Sequence, residues 1–218
     1  MEGKALVNKT ARHVKEKMIG EGSGHDWWHV YRVWNLAVRI AKEEKGSDIT
    51  VVQLGALLHD IADWKFSGGD ETAGGRVAAR WLARIGADKE TIEQVNYIVD
   101  NVSFKGAGVR DTMKTKEGKI VQDADRLDAL GAMGIARTFM YGGYKKRLIY
   151  DPERKPEMHK LFSEYKASSS PSINHFYEKL LLLKGRMHTK TAKRIAAERD
   201  KYMRGYLKQF FDEWDGRR

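Results

Sequence analysis

The chain contains no cysteine in its 218 residues. That absence excludes disulfide scaffolds, thiolate zinc sites, iron–sulfur clusters and a cysteine nucleophile, so any metal must be held by nitrogen and oxygen donors, and it accords with a reducing cytosol. Proline is scarce, with 3 residues in all. Alternating runs of β-branched residues are also few, which predicts a helical protein whose breaks are made mainly by glycine. Long apolar runs are missing as well. The longest, Leu180 to Leu183, is far too short to span a bilayer, and the opening MEGKALVNKTARHVKEKM never reaches the apolar stretch of a secretory signal. The expectation is a cytoplasmic protein with no membrane segment.

What is present is a basic, core-forming chain. Lys and Arg number 40 against 30 Asp and Glu, for a formal charge of +10. Such a balance favours polyanionic partners, whether nucleotides, phosphate esters or nucleic acid, without choosing among them. A hydrophobic content of 41% over this length is enough for one substantial core, and we expect a single domain.

Periodicity places the elements. Val30, Trp34, Ala37, Val38 and Ala41 recur at spacings of three and four and predict a helix from about Asp26 to Lys45, closed by Gly46. Val51, Leu54, Leu58 and Ile61 predict a second from about Thr50, with His59-Asp60 in its last turns. The segment 65–70 reads as a loop because two glycines interrupt the pattern. Helices are expected over about Thr72–Ile85 and Asp88–Val102, then a loop at Phe104–Gly108. A long helix is expected from Lys116 to Tyr141, ended by Gly142-Gly143. The polar stretch 145–170 reads as an ordered excursion with at most a short helix. Ser170-Pro171 resembles the cap and first position of a helix running through Leu183, and a final helix covers about Thr189–Trp214.

Three segments carry candidate chemistry: His25-Asp26-Trp27-Trp28-His29, then Leu58-His59-Asp60-Ile61-Ala62-Asp63-Trp64-Lys65, then Asp123-Ala124-Asp125-Arg126-Leu127-Asp128. A lone His-Asp dipeptide is a weak motif, so context decides. His29 lies on a core-facing stripe with Val33, Leu36 and Ile40. His59-Asp60 follows an apolar run, and Asp125 sits within an otherwise apolar helix. Carboxylates in such places need a cationic partner, because desolvating an isolated anion is costly. Two imidazoles and two carboxylates on one divalent ion would satisfy all four, and that donor set suits Mn, Fe, Co, Ni, Mg or Zn. The alternative is that the histidines pack in the core while the aspartates cap helices or pair with arginine.

The ordered set resembles the HD superfamily of metal-dependent phosphohydrolases. More closely, HDWWHVYRVWNLA, LLHDIADWKF, NVSFKG, IVQDADRLDALGAMGIARTFMYGG and SINHFYEKLLLLK are similar to its YpgQ-like branch, from about His25 to Trp214. The resemblance implies an all-α helical bundle of the HD type. Its core would cover about residues 25–143, with a helical C-terminal extension over about 144–218. It further implies hydrolysis of (d)NTPs to monophosphate and pyrophosphate, with His29, His59, Asp60 and Asp125 as metal ligands and manganese as the first choice of ion. The family's acidic residue four positions after the second ligand histidine falls on Asp63, which would position or deprotonate the attacking water. An ordinary helix-end residue is the competing reading there.

Cations beside the ligands are candidates to hold phosphates. Lys65 and Arg126 lead, and Arg32 and Lys105 follow, although each is individually more often a solvated surface charge. His25 and Asp128 are candidate substrate contacts or supports for the ligands, and Asp26 is expected to cap its helix. Asn174, His175 and Lys179 resemble a family segment near the pocket and are carried as substrate contacts. The tryptophans Trp27, Trp28, Trp34 and Trp64 are more often core than base-stacking surfaces. Within enzymes the runner-up is another HD reaction, a 5'-nucleotidase or a phosphodiesterase, since the same ligands serve several phosphate esters; outside enzymes, a nucleic-acid- or nucleotide-binding module is the rival reading. It rests on the net charge and on Lys184, Arg186, Lys190, Lys193 and Arg194, but no nucleic-acid motif accompanies that cluster.

Overall fold

The computed structural model describes residues 2–20, 24–62, 73–104, 106–109, 111–158, 164 and 168–218, and among these it holds helices and no strand. The chain divides into two compact units, Met1–Phe104 with Arg110–Asp125, and Lys105–Val109 with Arg126–Arg218.

The first unit contains α1 (Glu2–Met18), α2 (Trp27–Glu44), α3 (Ile49–Leu58), α4 (Ala73–Arg84), α5 (Lys89–Asn101) and most of α6 (Lys116–Asp128). Helix α3 is its centre. Val51, Val52 and every residue from Leu54 to Leu58 are buried, and α1, α2 and α5 pack against it. A helix apolar on all sides has no wet face to offer and must be enclosed in this way. Gly55 permits the close approach: a methyl there would lie 3.2 Å from Ile98 and 3.4 Å from Val121.

Asp26 caps α2 as expected, its carboxylate accepting from the His29 backbone N–H at 3.0 Å. Below the cap, Val30, Val33, Ala37, Ile40 and Ala41 are buried. The helix ends where Lys45 and Gly46 take positive φ, 50° and 66°. Asp48 and Asp88 cap α3 and α5 in the same way as Asp26.

Helix α1 was not expected from the sequence, although its pattern is present. Leu6, Val7, Thr10 and Val14 are buried at helical spacing. Trp81 of α4 docks on it, donating its indole N–H to Thr10 Oγ1 at 3.0 Å and stacking on the His13 ring at 3.7 Å. Burial, with help from Lys17, lowers the His13 pKa.

Two boundaries in this unit and the next differ from expectation. Helix α3 stops at Leu58, so His59 is its C-terminal cap and Asp60 stands in the following turn rather than within the helix. The long helix expected over 116–141 is two helices, α6 and α7 (Gly131–Tyr144). The chain breaks at Leu130, whose backbone is extended (φ −118°, ψ 159°), and Gly131 follows with φ 71°. Only glycine takes that left-handed conformation without steric cost. Gly142 and Gly143 do not end α7, which continues to Tyr144.

In the second unit, α7 packs on α10 (Lys190–Trp214). Between them lie α8 (Ser172–His175), a π-helical turn (Phe176–Leu180), α9 (Leu181–Leu183) and a 3-10 turn (Lys184–Arg186). Ser170 does not cap α8 as expected. Pro171 holds that position, and the Ser170 hydroxyl instead donates to the buried Glu178 carboxylate at 2.7 Å. Phe176 stacks on Tyr206 of α10 and meets Phe139 of α7. Thr189 caps α10, accepting from the Ala192 N–H. Among the described residues no helix is long and apolar enough to cross a membrane.

Candidate metal centre

Helix α2 delivers His29 from its first turn, with the imidazole fully buried. The cap at Asp26 fixes that turn. The end of α3 delivers His59 and Asp60, and the third turn of α6 delivers Asp125. All four residues belong to the first unit.

The four side chains converge. His29 Nε2 lies 3.1 Å from His59 Nε2, 3.3 Å from Asp60 Oδ2 and 3.5 Å from Asp125 Oδ1. His59 Nε2 lies 3.5 Å from Asp60 Oδ2 and 3.7 Å from Asp125 Oδ1. Ligands bound at about 2.0–2.2 Å to one ion are separated by roughly 3–3.6 Å, close to the 3.1–3.7 Å of these five pairs. His29, His59 and Asp125 form a mutually close set able to hold a metal ion, and Asp60 faces both imidazoles.

The tautomer agrees with this geometry. His59 Nδ1 is 2.8 Å from the Ala56 carbonyl, a pairing that requires the proton on Nδ1 and leaves Nε2 as a bare lone pair aimed at the cluster. This orienting acceptor is a backbone group one turn back along α3. No side chain in the sequence announces it.

The electrostatics favour ionised Asp60. Burial pushes its carboxyl up, but His59, His29 and His25 together overcome that cost and hold it well below the ordinary carboxylate range. His25 is placed beside the cluster, its ring meeting that of His29 edge-on at 5.7 Å. The Asp125 side chain is 28% exposed whereas the two imidazoles are 0% and 1%, so the cluster meets solvent on its Asp125 side.

The HD domain family model matches residues 27–130, a span holding all four of these residues. YpgQ of Bacillus subtilis (strain 168) is 39% identical over 197 residues, covering 90% of this chain and 87% of that protein. This chain is a member of the HD superfamily, in its YpgQ-like branch. The crystal structure of Bacillus subtilis YpgQ in complex with ADP superposes with a TM-score of 0.76 and 31% identity over the wider superposed length, 98% of this chain and 97% of that one. A Bacillus thuringiensis protein described as an HD-superfamily hydrolase gives a TM-score of 0.74 at 41% identity, covering 98% and 99%. A Lactobacillus plantarum structure gives 0.86 at 34%, covering 97% of each chain.

The other candidate residues of this HD protein are distributed as follows. Asp63, Lys65 and Lys105 lie outside the described residues, as does Trp64. Arg32 is half-buried on α2. Arg126 is buried, and its guanidinium donates to the Arg186 carbonyl at 2.6 Å and meets His188 Nε2 at 3.3 Å. Asp128 is buried and accepts from Arg137 at 3.0 Å. Neither Arg137 nor His188 was singled out in the sequence, because arginine and histidine partners distant along the chain carry no local signal.

Asn174 is buried and donates to the Arg154 carbonyl at 2.8 Å, while His175 and Lys179 are half-buried. Members of the basic cluster near the chain end are also engaged. Lys184 pairs with Asp200 at 3.3 Å, and Arg186 donates to the carbonyls of Gly106, Ala107 and Val109. Guanidinium and ammonium groups spent on internal acceptors weaken the case for a nucleic-acid surface there.

Proposed function

We propose that this HD protein is a metal-dependent phosphohydrolase that cleaves (d)NTPs at the α-phosphorus, with water, to the monophosphate and pyrophosphate. The observation that carries the reading is that the two imidazole Nε2 atoms lie 3.1 Å apart and each lies 3.3–3.7 Å from one carboxylate oxygen of Asp60 and one of Asp125, with the His59 proton held on the far side of its ring.

On this reading His29, His59, Asp60 and Asp125 are the ligands, and manganese is the expected ion. A divalent ion bound there supplies an activated water and neutralises charge on the attacked phosphoryl group. The Ala56 carbonyl keeps His59 in the donor tautomer. Against the cost of burial, the neighbouring histidines hold the Asp60 carboxyl well below its ordinary range, which favours the ionised form a cation needs. His25, whose ring meets that of His29, is assigned to contact a bound phosphate.

Asp63 is assigned the proton of the attacking water on the family's pattern of an acidic residue four positions after the second ligand histidine, and Lys65 and Lys105 are assigned to the phosphate chain. Arg126 is assigned a positioning role, because its guanidinium is already committed to Arg186 and His188. Asp128 receives the same assignment through Arg137. Nucleotides are the substrate class we favour because YpgQ, alike over nearly the whole chain, was crystallised with ADP.

The test is a panel of (d)NTPs, dinucleotides and monophosphates incubated with Mn, Mg, Co or Zn, with products separated by chromatography. Monophosphate and pyrophosphate in equal amounts are expected. Release of inorganic phosphate alone would replace the reading with a phosphatase, and cleavage of dinucleotides alone with a phosphodiesterase.

A further inference from the structure

A cavity of about 300 Å³ in the second unit shares no lining residue with the metal centre. Its walls are Tyr150, Pro152, Arg154, Lys155, Pro156, Asn174, Tyr177 and Phe211. No carboxylate is among them. Its floor is aromatic, with Phe211 standing edge-on to Tyr150 at 5.3 Å and with Tyr177 on the π-helical turn.

Its two cations, Arg154 and Lys155, are exposed, while buried Asn174 already donates to the Arg154 carbonyl. Among the described residues Arg154 and Lys155 have no carboxylate partner, and the Tyr150 and Tyr177 hydroxyls have no protein acceptor. The two phenols lie close enough for Tyr150, after burial, to push the Tyr177 phenol further up from its ordinary value, so that it keeps its proton.

The wall is built rather than incidental. The loop that carries both cations is pinned by Asp151, which accepts from the Glu153 N–H at 3.0 Å and, through its carbonyl, from the Arg154 N–H at 3.2 Å. Buried Asn174 holds the Arg154 carbonyl, and buried Glu178 accepts from the Glu157 N–H at 3.0 Å. Pro152 and Pro156 fix φ at two further positions. A loop held by several hydrogen bonds has less conformational freedom to lose when a ligand enters.

We propose that this cavity is a binding site for an aromatic ring that carries a phosphate, the chemistry of a nucleoside monophosphate. The rings of Tyr150, Tyr177 and Phe211 take the planar part, while Arg154, Lys155 and the two phenols take the anion. Charge-assisted hydrogen bonds from guanidinium to phosphate are the strongest such groups make, and the volume is at the lower end of that of small-molecule sites. This inference uses none of the residues assigned to the metal; of the substrate-contact candidates only Asn174 lines the cavity, where its amide is engaged with the Arg154 carbonyl.

The test is calorimetric titration of the full chain with AMP in EDTA, with adenosine and inorganic phosphate as separate arms. AMP binding at least about tenfold tighter than either fragment is expected, as is a loss of about tenfold or more in an Arg154→Ala/Lys155→Ala variant, the equivalent of one charged hydrogen bond. Tyr177→Phe, which keeps the ring and removes the donor, should lose about threefold or more. Asp125→Ala should bind AMP as the parent does, so that failure of hydrolysis and failure of this site are read separately. Unchanged AMP affinity in the double variant, or no binding by the parent at millimolar AMP, overturns the proposal. Phosphate binding as tightly as AMP overturns the assignment of the aromatic floor.

Discussion

Replacing Gly134 with alanine separates the observed fold from the simpler one that periodicity suggests, because the two predict opposite signs. In one unbroken helix from 116 to 141, Gly134→Ala would remove an interior glycine and stabilise the protein by about 0.8–1 kcal/mol. At roughly 2–4 °C per kcal/mol for a chain of this length, the melting temperature would rise by about 2–4 °C. In the structure α7 begins anew at Gly131, and the turn brings the Ala129 carbonyl against Gly134. A methyl group there would overlap backbone atoms well inside the 3.0 Å that real Cβ contacts essentially never breach.

A carbonyl cannot swing aside as a flexible side-chain end can, so the start of α7 must shift. Overpacking of this kind costs about 1–3 kcal/mol or more, which outweighs the propensity gain. We expect a fall of roughly 3–10 °C in thermal unfolding followed by circular dichroism, with a matching drop in the denaturant midpoint. A rise in melting temperature would refute the break at 129–131. Gly131→Ala is the companion variant. Its φ of 71° should cost about 1–2 kcal/mol, with the same sign of effect.

The remaining predictions concern the first unit. Thr10→Val leaves the Trp81 indole N–H without its acceptor and should lower stability by about 1 kcal/mol; an unchanged denaturant midpoint would show that α1 is not anchored there. The Asp60 carboxyl is held below its unfolded value, so its contribution to stability is present above about pH 4 and is lost as pH falls through the lower folded value. Metal-free Asp60→Asn should therefore show a flatter stability profile below about pH 4 than the parent, and parallel profiles would count against ionised Asp60. Asp125→Ala should abolish both metal binding and hydrolysis while leaving the helical circular dichroism signal nearly intact. Undiminished turnover in that variant would remove Asp125 from the site.

The elements with a clean apolar stripe were legible in the sequence. Helix α2 begins one residue after the Asp26 cap and ends two before Gly46, and α10 begins at the Thr189 cap. The convergence of His29, His59, Asp60 and Asp125 was likewise legible as an ordered set in apolar sequence context, although the Asp125 side chain is 28% exposed. What escaped had a physical reason in each case. Helix α1 carries its stripe on a segment rich in lysine and arginine, so its mean pattern is polar. The break at Leu130-Gly131 keeps apolar residues on both sides, and a positive φ leaves no mark on periodicity.

The π-helical turn at 176–180 displaces the register within a segment that reads as regular helix. The contacts of Arg126 and Asp128 with Arg186, His188 and Arg137 are fixed by tertiary structure, so no local pattern in the sequence marks them.

The central claim is that two imidazoles and two carboxylates share one cation. Crystals soaked in MnCl2 and measured at the manganese absorption edge would test it directly. A single strong anomalous peak at bonding distance from His29 Nε2, His59 Nε2 and the carboxylates of Asp60 and Asp125 is the predicted result. A map without a peak there, or with manganese bound elsewhere while the four side chains keep their positions, would contradict it.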